Sequence, residues 1–357
     1  MKQTRKSLKL IDWPDVDRSR WLTACEKADW FDEEGRAANW SPASQHDAQY
    51  LYGYWLRYLT EKEPDLLLED LGSRVTPARI QSFVSDLKTH VSPVTVVIYV
   101  DHWLMALRVL APEQDWQHLT KLVRHLKQSV TPNSKRHRLV ETARLYQLGL
   151  DLMGPVEGVS SYKNMHCAVR YRDGLMIALL AARPLRRRTF TLIRIDEHLQ
   201  YDGHSYYLSF RDYEIKNKRP AEYSIPTELN PYLAEYLKTI RPLFPRADTH
   251  TGLWCSMAGQ ALSSSAIYSA ICKRTKVAFG HPVNLHLFRD CAATSLATHA
   301  PESVLAGVEI LGHTDTRALY THYIHAQTQQ AGKAYQAHLA DRRQRLAPPV
   351  NHRRGKK

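Results

Sequence analysis

Apolar positions in the first third of the chain recur every three or four residues. One stripe carries Tyr50, Leu51, Tyr54, Trp55 and Tyr58, and the next Ile80, Phe83, Val84 and Leu87. A third carries Val97, Tyr99, Trp103, Leu104 and Leu107, and a fourth, within 116–126, Leu119, Leu122 and Val123. This is the 3.6-residue period of amphipathic helices, so four are expected. Three of them begin alike, at Ser41-Pro42, Thr76-Pro77 and Ser92-Pro93. The hydroxyl caps an orphan N–H, and proline at the first helical position presets φ. The aromatic residues in these stripes read as core packing rather than as a stacking surface for bases.

The pattern changes at Thr131. Residues 131–138 are polar and contain Pro132, the composition of an interdomain linker. Beyond it, helices are expected over 140–153, 162–182, 228–240, 265–279, 287–298, 302–311 and 316–328. Tyr206 to Phe210 and Ala221 to Ile225 alternate and are rich in aromatics, so they read as two short strands. The polar stretch 214–219 joins them as a turn. The expected architecture is mainly α, in two domains. Residues 1–130 form a helical domain and 139–341 a mixed α/β, mostly helical domain with a small antiparallel sheet. Residues 342–357 form a basic, proline-containing tail that should be disordered in isolation.

Charge sharpens this division. The 357 residues carry a formal net charge of +13. Residues 1–135 hold 18 basic and 18 acidic residues, whereas residues 136–357 hold 31 and 18. A basic excess confined to one part of a chain points to a polyanionic partner. No run approaches the roughly 18–20 uninterrupted apolar residues of a membrane helix, the longest being Gly174 to Ala182. The basic start, Met1 to Lys6, is not followed by the apolar stretch of a secretory signal. Five scattered cysteines form no CxxC pair, and the 18 histidines show no HExxH or finger spacing. A reduced, cytoplasmic protein without membrane, metal or other cofactor is expected.

Four pieces of the second half carry the candidate chemistry. Arg183-Pro184-Leu185-Arg186-Arg187-Arg188 follows an apolar helix, and Lys216 sits in the turn between the strands. His286-Leu287-Phe288-Arg289 opens a later helix, and Leu311-Gly312-His313 precedes one holding Tyr320 and Tyr323. Nucleophilic attack on a DNA phosphate builds charge on its non-bridging oxygens. Arginines can hold two such oxygens in a fork, and fixed charge in a dry site favours the transition state. A tyrosyl phosphodiester conserves the energy of the broken bond, so the strand can be rejoined without ATP. The leaving 5′-oxygen needs a proton, which a lysine of adjusted pKa can supply.

In order and spacing these residues resemble the tyrosine recombinase (phage integrase) family, over roughly Val140 to Gln330. The resemblance implies that Arg186, Lys216, His286, Arg289 and His313 surround the scissile phosphate and that Tyr323 is the nucleophile. It implies a SAM-like, DNA core-binding domain in the first half, a transient 3′-phosphotyrosyl bond, and strand exchange through a Holliday junction. The partner is then double-stranded DNA, bound by a homotetramer. Pro184 stands where the family pattern has glycine, and Thr189 where it has an acidic residue. Arg183 or Arg187 is therefore an alternative register for Arg186; separately, Lys218 shares the turn with Lys216, and Tyr320 lies seven residues after His313 where Tyr323 lies ten.

Two other readings share the motifs: a non-catalytic DNA-binding protein of the same fold, and a type IB topoisomerase. Asn284 or Asp290 is placed to orient His286 and Arg289. Cys291 reads as buried packing, and Tyr162, Tyr201, Tyr206, Tyr207 and Tyr268 as core or strand residues. Lys273, Arg274 and Lys276 form either a phosphate-contacting cluster or a solvated helix face. Neither the target site nor any accessory protein is written in the sequence.

Overall fold

The computed structural model describes residues 6–29, 33–131, 135–154, 165–215, 219–300 and 335–342. It divides into two compact units, Met1–Ser134 and Lys135–Lys357.

The first unit is helical: α1 (Asp15–Cys25), α2 (Pro42–Lys62), α3 (Leu71–Arg74), α4 (Pro77–His90), α5 (Pro93–Leu110) and α6 (Gln117–Ser129). The three Ser/Thr-Pro signals cap helices as expected. Ser41, Thr76 and Ser92 accept from the backbone N–H groups of Ser44, Arg79 and Thr95. Helices α2, α4 and α5 meet at an aromatic cluster of Trp55, Phe83 and Trp103, with ring centroids 4.7–5.2 Å apart. The aromatic stripes are thus core, except at Tyr50, whose ring lies outside it. Among the described residues α5 alone has the length and apolarity of a membrane span, with a mean hydropathy of 1.4. Its Val96, Val100, Trp103, Leu104 and Leu107 are buried in the core of this unit.

Helix α1 had no clear stripe, because its inward face includes a carboxylate. Asp17 is fully buried, and its Oδ2 accepts from Arg74 Nη1 at 2.6 Å and from the Tyr52 hydroxyl at 2.8 Å. Burying a charge is tolerable only with such partners.

The second unit begins with Lys135. A single turn over Arg136–Arg138 leads to α7 (Thr142–Met153) and α8 (Met165–Ala182), followed by the short α9 (Arg187–Leu192). Helix α8 is buried almost all round from Tyr171 to Ala181. A three-stranded antiparallel sheet follows in the order β1 (Leu199–Tyr201), β2 (Tyr206–Phe210), β3 (Ala221–Ser224). The two expected strands are there; β1, three residues long, adds an edge. The expected helix 228–240 is α10 (Asn230–Glu235) continued by a π turn over Tyr236–Ile240.

Helix α11 (Ser264–Phe279) is capped by the Ser263 hydroxyl and ends at Gly280, whose φ of 78° is the left-handed value that favours glycine. Helix α12 (Leu285–His299) completes the unit. The expected helices 302–311 and 316–328 lie outside the described residues, as does nearly all of the tail. Residues 335–342 are helical and exposed.

Candidate active site

Two segments bring the candidate arginines together. The first is the turn after α8. Arg183 does not stand in the cluster as a free cation: its Nε donates to Ser224 O at 2.6 Å and its Nη2 to Ser224 Oγ at 2.9 Å. It braces β3 against the arginine turn. Arg187 is spent in another direction, with Nε donating to Ser264 Oγ at 2.6 Å and the guanidinium 5.2 Å from the centre of the Tyr268 ring. Arg188 is exposed, and Arg186 is half-buried at the start of α9.

The second segment is the first turn of α12. Asn284 caps it, its Oδ1 accepting from Leu287 N–H at 3.0 Å. That bond fixes the helix start, so Asn284 does not reach for His286. His286 and Arg289 are three residues apart, a spacing that puts them on neighbouring positions of the helix surface. They differ in depth, since His286 is exposed and Arg289 is only 7% exposed. Arg289 Nη1 donates to Pro184 O at 2.6 Å and so ties α12 to the arginine turn. A proline keeps its carbonyl, so this bond survives the departure from glycine at that position.

The electrostatics show what the two segments share. Burial, and next the like charge of Arg186, push the Arg289 pKa down to about 10, so the guanidinium is still charged at neutral pH. Tyr223, half-buried on β3, completes the group. Burial raises its phenol pKa, while Arg186 and Arg289 pull it the other way. Two guanidinium groups are held within each other's field, one deep and one nearer solvent, beside a phenol. Such a grouping of two cations and a phenol has the chemistry to receive an oxyanion.

Lys216, His313 and Tyr323, with their alternatives Lys218 and Tyr320, lie outside the described residues, and so does Tyr162. Cys291 is buried and accepts from Val140 N–H at 3.3 Å; burial pushes its thiol up to about 11, far from a nucleophile's range. Arg274 pairs with buried Asp173 at 2.9 Å, while Lys273 and Lys276 are exposed. Sequence reasoning missed the Arg183 brace and Tyr223. The only signal for Tyr223 was strand alternation, which puts it on the face of Ala221 and Ile225.

No family model matches the chain. Over 157 residues it is 30% identical to tyrosine recombinase XerD of Staphylococcus epidermidis, and 29% identical to the XerD of Staphylococcus aureus. The match covers 43% of this chain, which spans about half the length of those curated relatives. The solved structure of XerH site-specific recombinase bound to palindromic difH substrate, a post-cleavage complex, overlaps 93% of this chain and 99% of its own, with a TM-score of 0.54 at 15% identity. A mainly helical chain, with a small antiparallel sheet beside an arginine cluster, thus has the fold of a recombinase. Over part of its length the chain is thus similar in sequence to tyrosine recombinases, and its fold is that of the XerH structure.

Proposed function

We propose that the protein is a site-specific DNA recombinase that cuts and rejoins strands through a 3′-phosphotyrosyl intermediate. The observation that carries this reading is the convergence of Arg186 and Arg289, tied by the Arg289–Pro184 bond. In the proposed reaction the two arginines hold the non-bridging oxygens of the scissile phosphate, with His286 at the exposed rim and His313 as a further ligand. The Tyr323 hydroxyl gives its proton to water and its oxygen attacks phosphorus. The new P–O bond to tyrosine forms as the bond to the 5′-oxygen breaks, and Lys216 protonates that oxygen. Rejoining runs the same steps backwards. Double-stranded DNA is the substrate, a homotetramer the working assembly, and the first unit the core-binding domain. Such a protein works in the cytoplasm, where its DNA is.

The test is covalent capture. Cells making the protein are lysed in denaturant, the DNA bound to it is sequenced, and that sequence is rebuilt as a nicked duplex. The expected result is a denaturation-resistant adduct that Tyr323→Phe abolishes. Loss of the adduct in Tyr320→Phe but not in Tyr323→Phe would move the nucleophile. Tight binding with no adduct would make the chain a non-catalytic member of the fold. Relaxation of supercoils without strand exchange would make it a topoisomerase.

A further inference from the structure

Strand β3 is held to the arginine turn at one residue. Ser224 O accepts from Arg183 Nε at 2.6 Å, and Ser224 Oγ from Arg183 Nη2 at 2.9 Å. Arg289 Nη1 reaches Pro184 O, on the next residue of that turn, at 2.6 Å. These bonds fix β3, the turn and α12 against one another, and Tyr223 is the residue beside Ser224. Tyr223 pairs with Leu208 in the β2–β3 register, so its side chain shares the sheet face of Leu208 and Phe210, both buried in the core. Its ring meets that of Phe210 edge-on, with centroids 6.3 Å apart. The ring is thus anchored in the core, while the residue stays half-buried and its phenol lies in the field of Arg186 and Arg289.

The hydroxyl takes no part in this anchoring. Buried tyrosines usually find a partner for it. In the same unit Tyr146 donates to Glu228 at 2.9 Å, Tyr171 to Tyr232 O at 3.0 Å and Tyr236 to Leu253 O at 3.0 Å. Among the described residues the Tyr223 hydroxyl has no such bond. Arginines can only donate, so the phenol proton needs an acceptor that neither Arg186 nor Arg289 supplies. A phosphate oxygen is such an acceptor, and both arginines would draw it to the same place. Burial raises the phenol pKa, so the proton is there to donate at neutral pH. The hydroxyl adds a donor without adding a third positive charge, which burial would penalise.

We propose that Tyr223 is a further catalytic residue: its hydroxyl donates to a non-bridging oxygen of the phosphate that Arg186 and Arg289 hold. The inference rests on the reading of that cluster as the phosphate site. The contact strengthens as charge builds on that oxygen, so it favours the transition state.

Two measurements on the full chain test it. Tyr223→Phe keeps the ring and its contact with Phe210 and loses only a hydroxyl, so its unfolding midpoint without added anion should not fall. The sulfate concentration that half-saturates the rise in midpoint should increase about 10-fold, the lower end for a hydrogen bond to a charged group. Single-turnover adduct formation is then measured on the duplex recovered from the trapped adduct. Its scissile group is the phosphate or either methylphosphonate diastereomer, in which a methyl group replaces one non-bridging oxygen. Tyr223→Phe should slow the phosphate about 10-fold or more, towards the roughly 10²–10³-fold of a single oxyanion donor. On the diastereomer lacking the oxygen that Tyr223 contacts, variant and native rates should agree; on the other the slowing should persist. Equal slowing on all three substrates, or none on the phosphate, would overturn the proposal. A midpoint that falls without anion would overturn it too, by showing that the hydroxyl already has a partner in the fold. So would loss of the adduct with native sulfate binding, which would make Tyr223 the nucleophile. If the native chain binds sulfate through Tyr223 but forms no adduct on DNA, the recombinase reading fails and the anion contact stands. If Tyr223→Phe matches the native chain in both measurements, the Tyr223 role alone fails.

Discussion

Arg289 is charged in a place that penalises charge. Its folded pKa of about 10 lies below the ordinary arginine value, so the fold disfavours the protonated form. That penalty is present in full at neutral pH, and it is relieved as pH rises from about 10 towards the ordinary arginine value. A bound oxyanion relieves it too, by replacing lost water with opposite charge. Arg289→Gln removes this penalty together with the bond to Pro184 O, so the two effects oppose each other in its unfolding temperature. Sulfate or orthovanadate should raise the native midpoint and leave that of the variant unmoved, as scanning fluorimetry would read. Adduct formation should fall about 100-fold or more, the range for loss of one oxyanion donor. At this scale the sequence marks candidate chemistry where it sits in a short motif, as at Arg186, His286 and Arg289, and the structure brings Arg186 and Arg289 together. The sequence is silent where partners are far apart. Arg183 meets Ser224 across 41 residues and His198 meets Glu214 across 16, and no local pattern marks either pair.

Elements were legible in proportion to how much of their burial is apolar. Helices α2, α4 and α5 announce themselves by stripe and cap. Helix α1 does not, because a buried Asp17 looks like a solvent-facing residue until Arg74 is known to meet it. The arginine turn depends on an element contact that the sequence also hid. Helices α7 and α8 touch backbone to backbone at Gly149 and Gly174. A Cβ on Gly174 would stand 2.7 Å from Gly149 O, and one on Gly149 2.6 Å from Ala178 N. Alanine has the better helix propensity, by roughly 1 kcal/mol, so an open site would gain from Gly174→Ala. Here the helices must part, and overpacking of this kind costs about 1–3 kcal/mol. Gly174→Ala is expected to lower the urea midpoint, and to slow cleavage as well, because α8 delivers Arg183 and Arg186. A stabilised variant would show that the helix pair opens without strain.

For the whole molecule, the division into units sharpens the division of charge. Residues 1–134 hold 17 basic and 18 acidic residues, and residues 135–357 hold 32 and 18. Each unit has its own apolar core, so each can carry its own electrostatic role. The turn from Arg136 to Arg138, expected as linker, belongs with the second unit: Arg138 Nη2 donates to Pro282 O at 3.1 Å, and Thr142 N–H to Ser295 Oγ at the same distance. Residues 343–357 add six positive charges and no acidic ones. If phosphate contacts drive non-specific binding, affinity falls with salt by about 0.9 in log–log slope for each phosphate neutralised. Removing residues 343–357 should then flatten the slope by at most about 5, and by about 2 or more if the tail lies along DNA. The proposed anion site at Arg186 and Arg289 is built into the folded unit, so adduct formation by the truncated chain at low salt should match that of the full chain. A salt slope unchanged by truncation would place the DNA-binding charge in the folded unit alone, where the proposed reaction would commit Arg186 and Arg289 to a single phosphate.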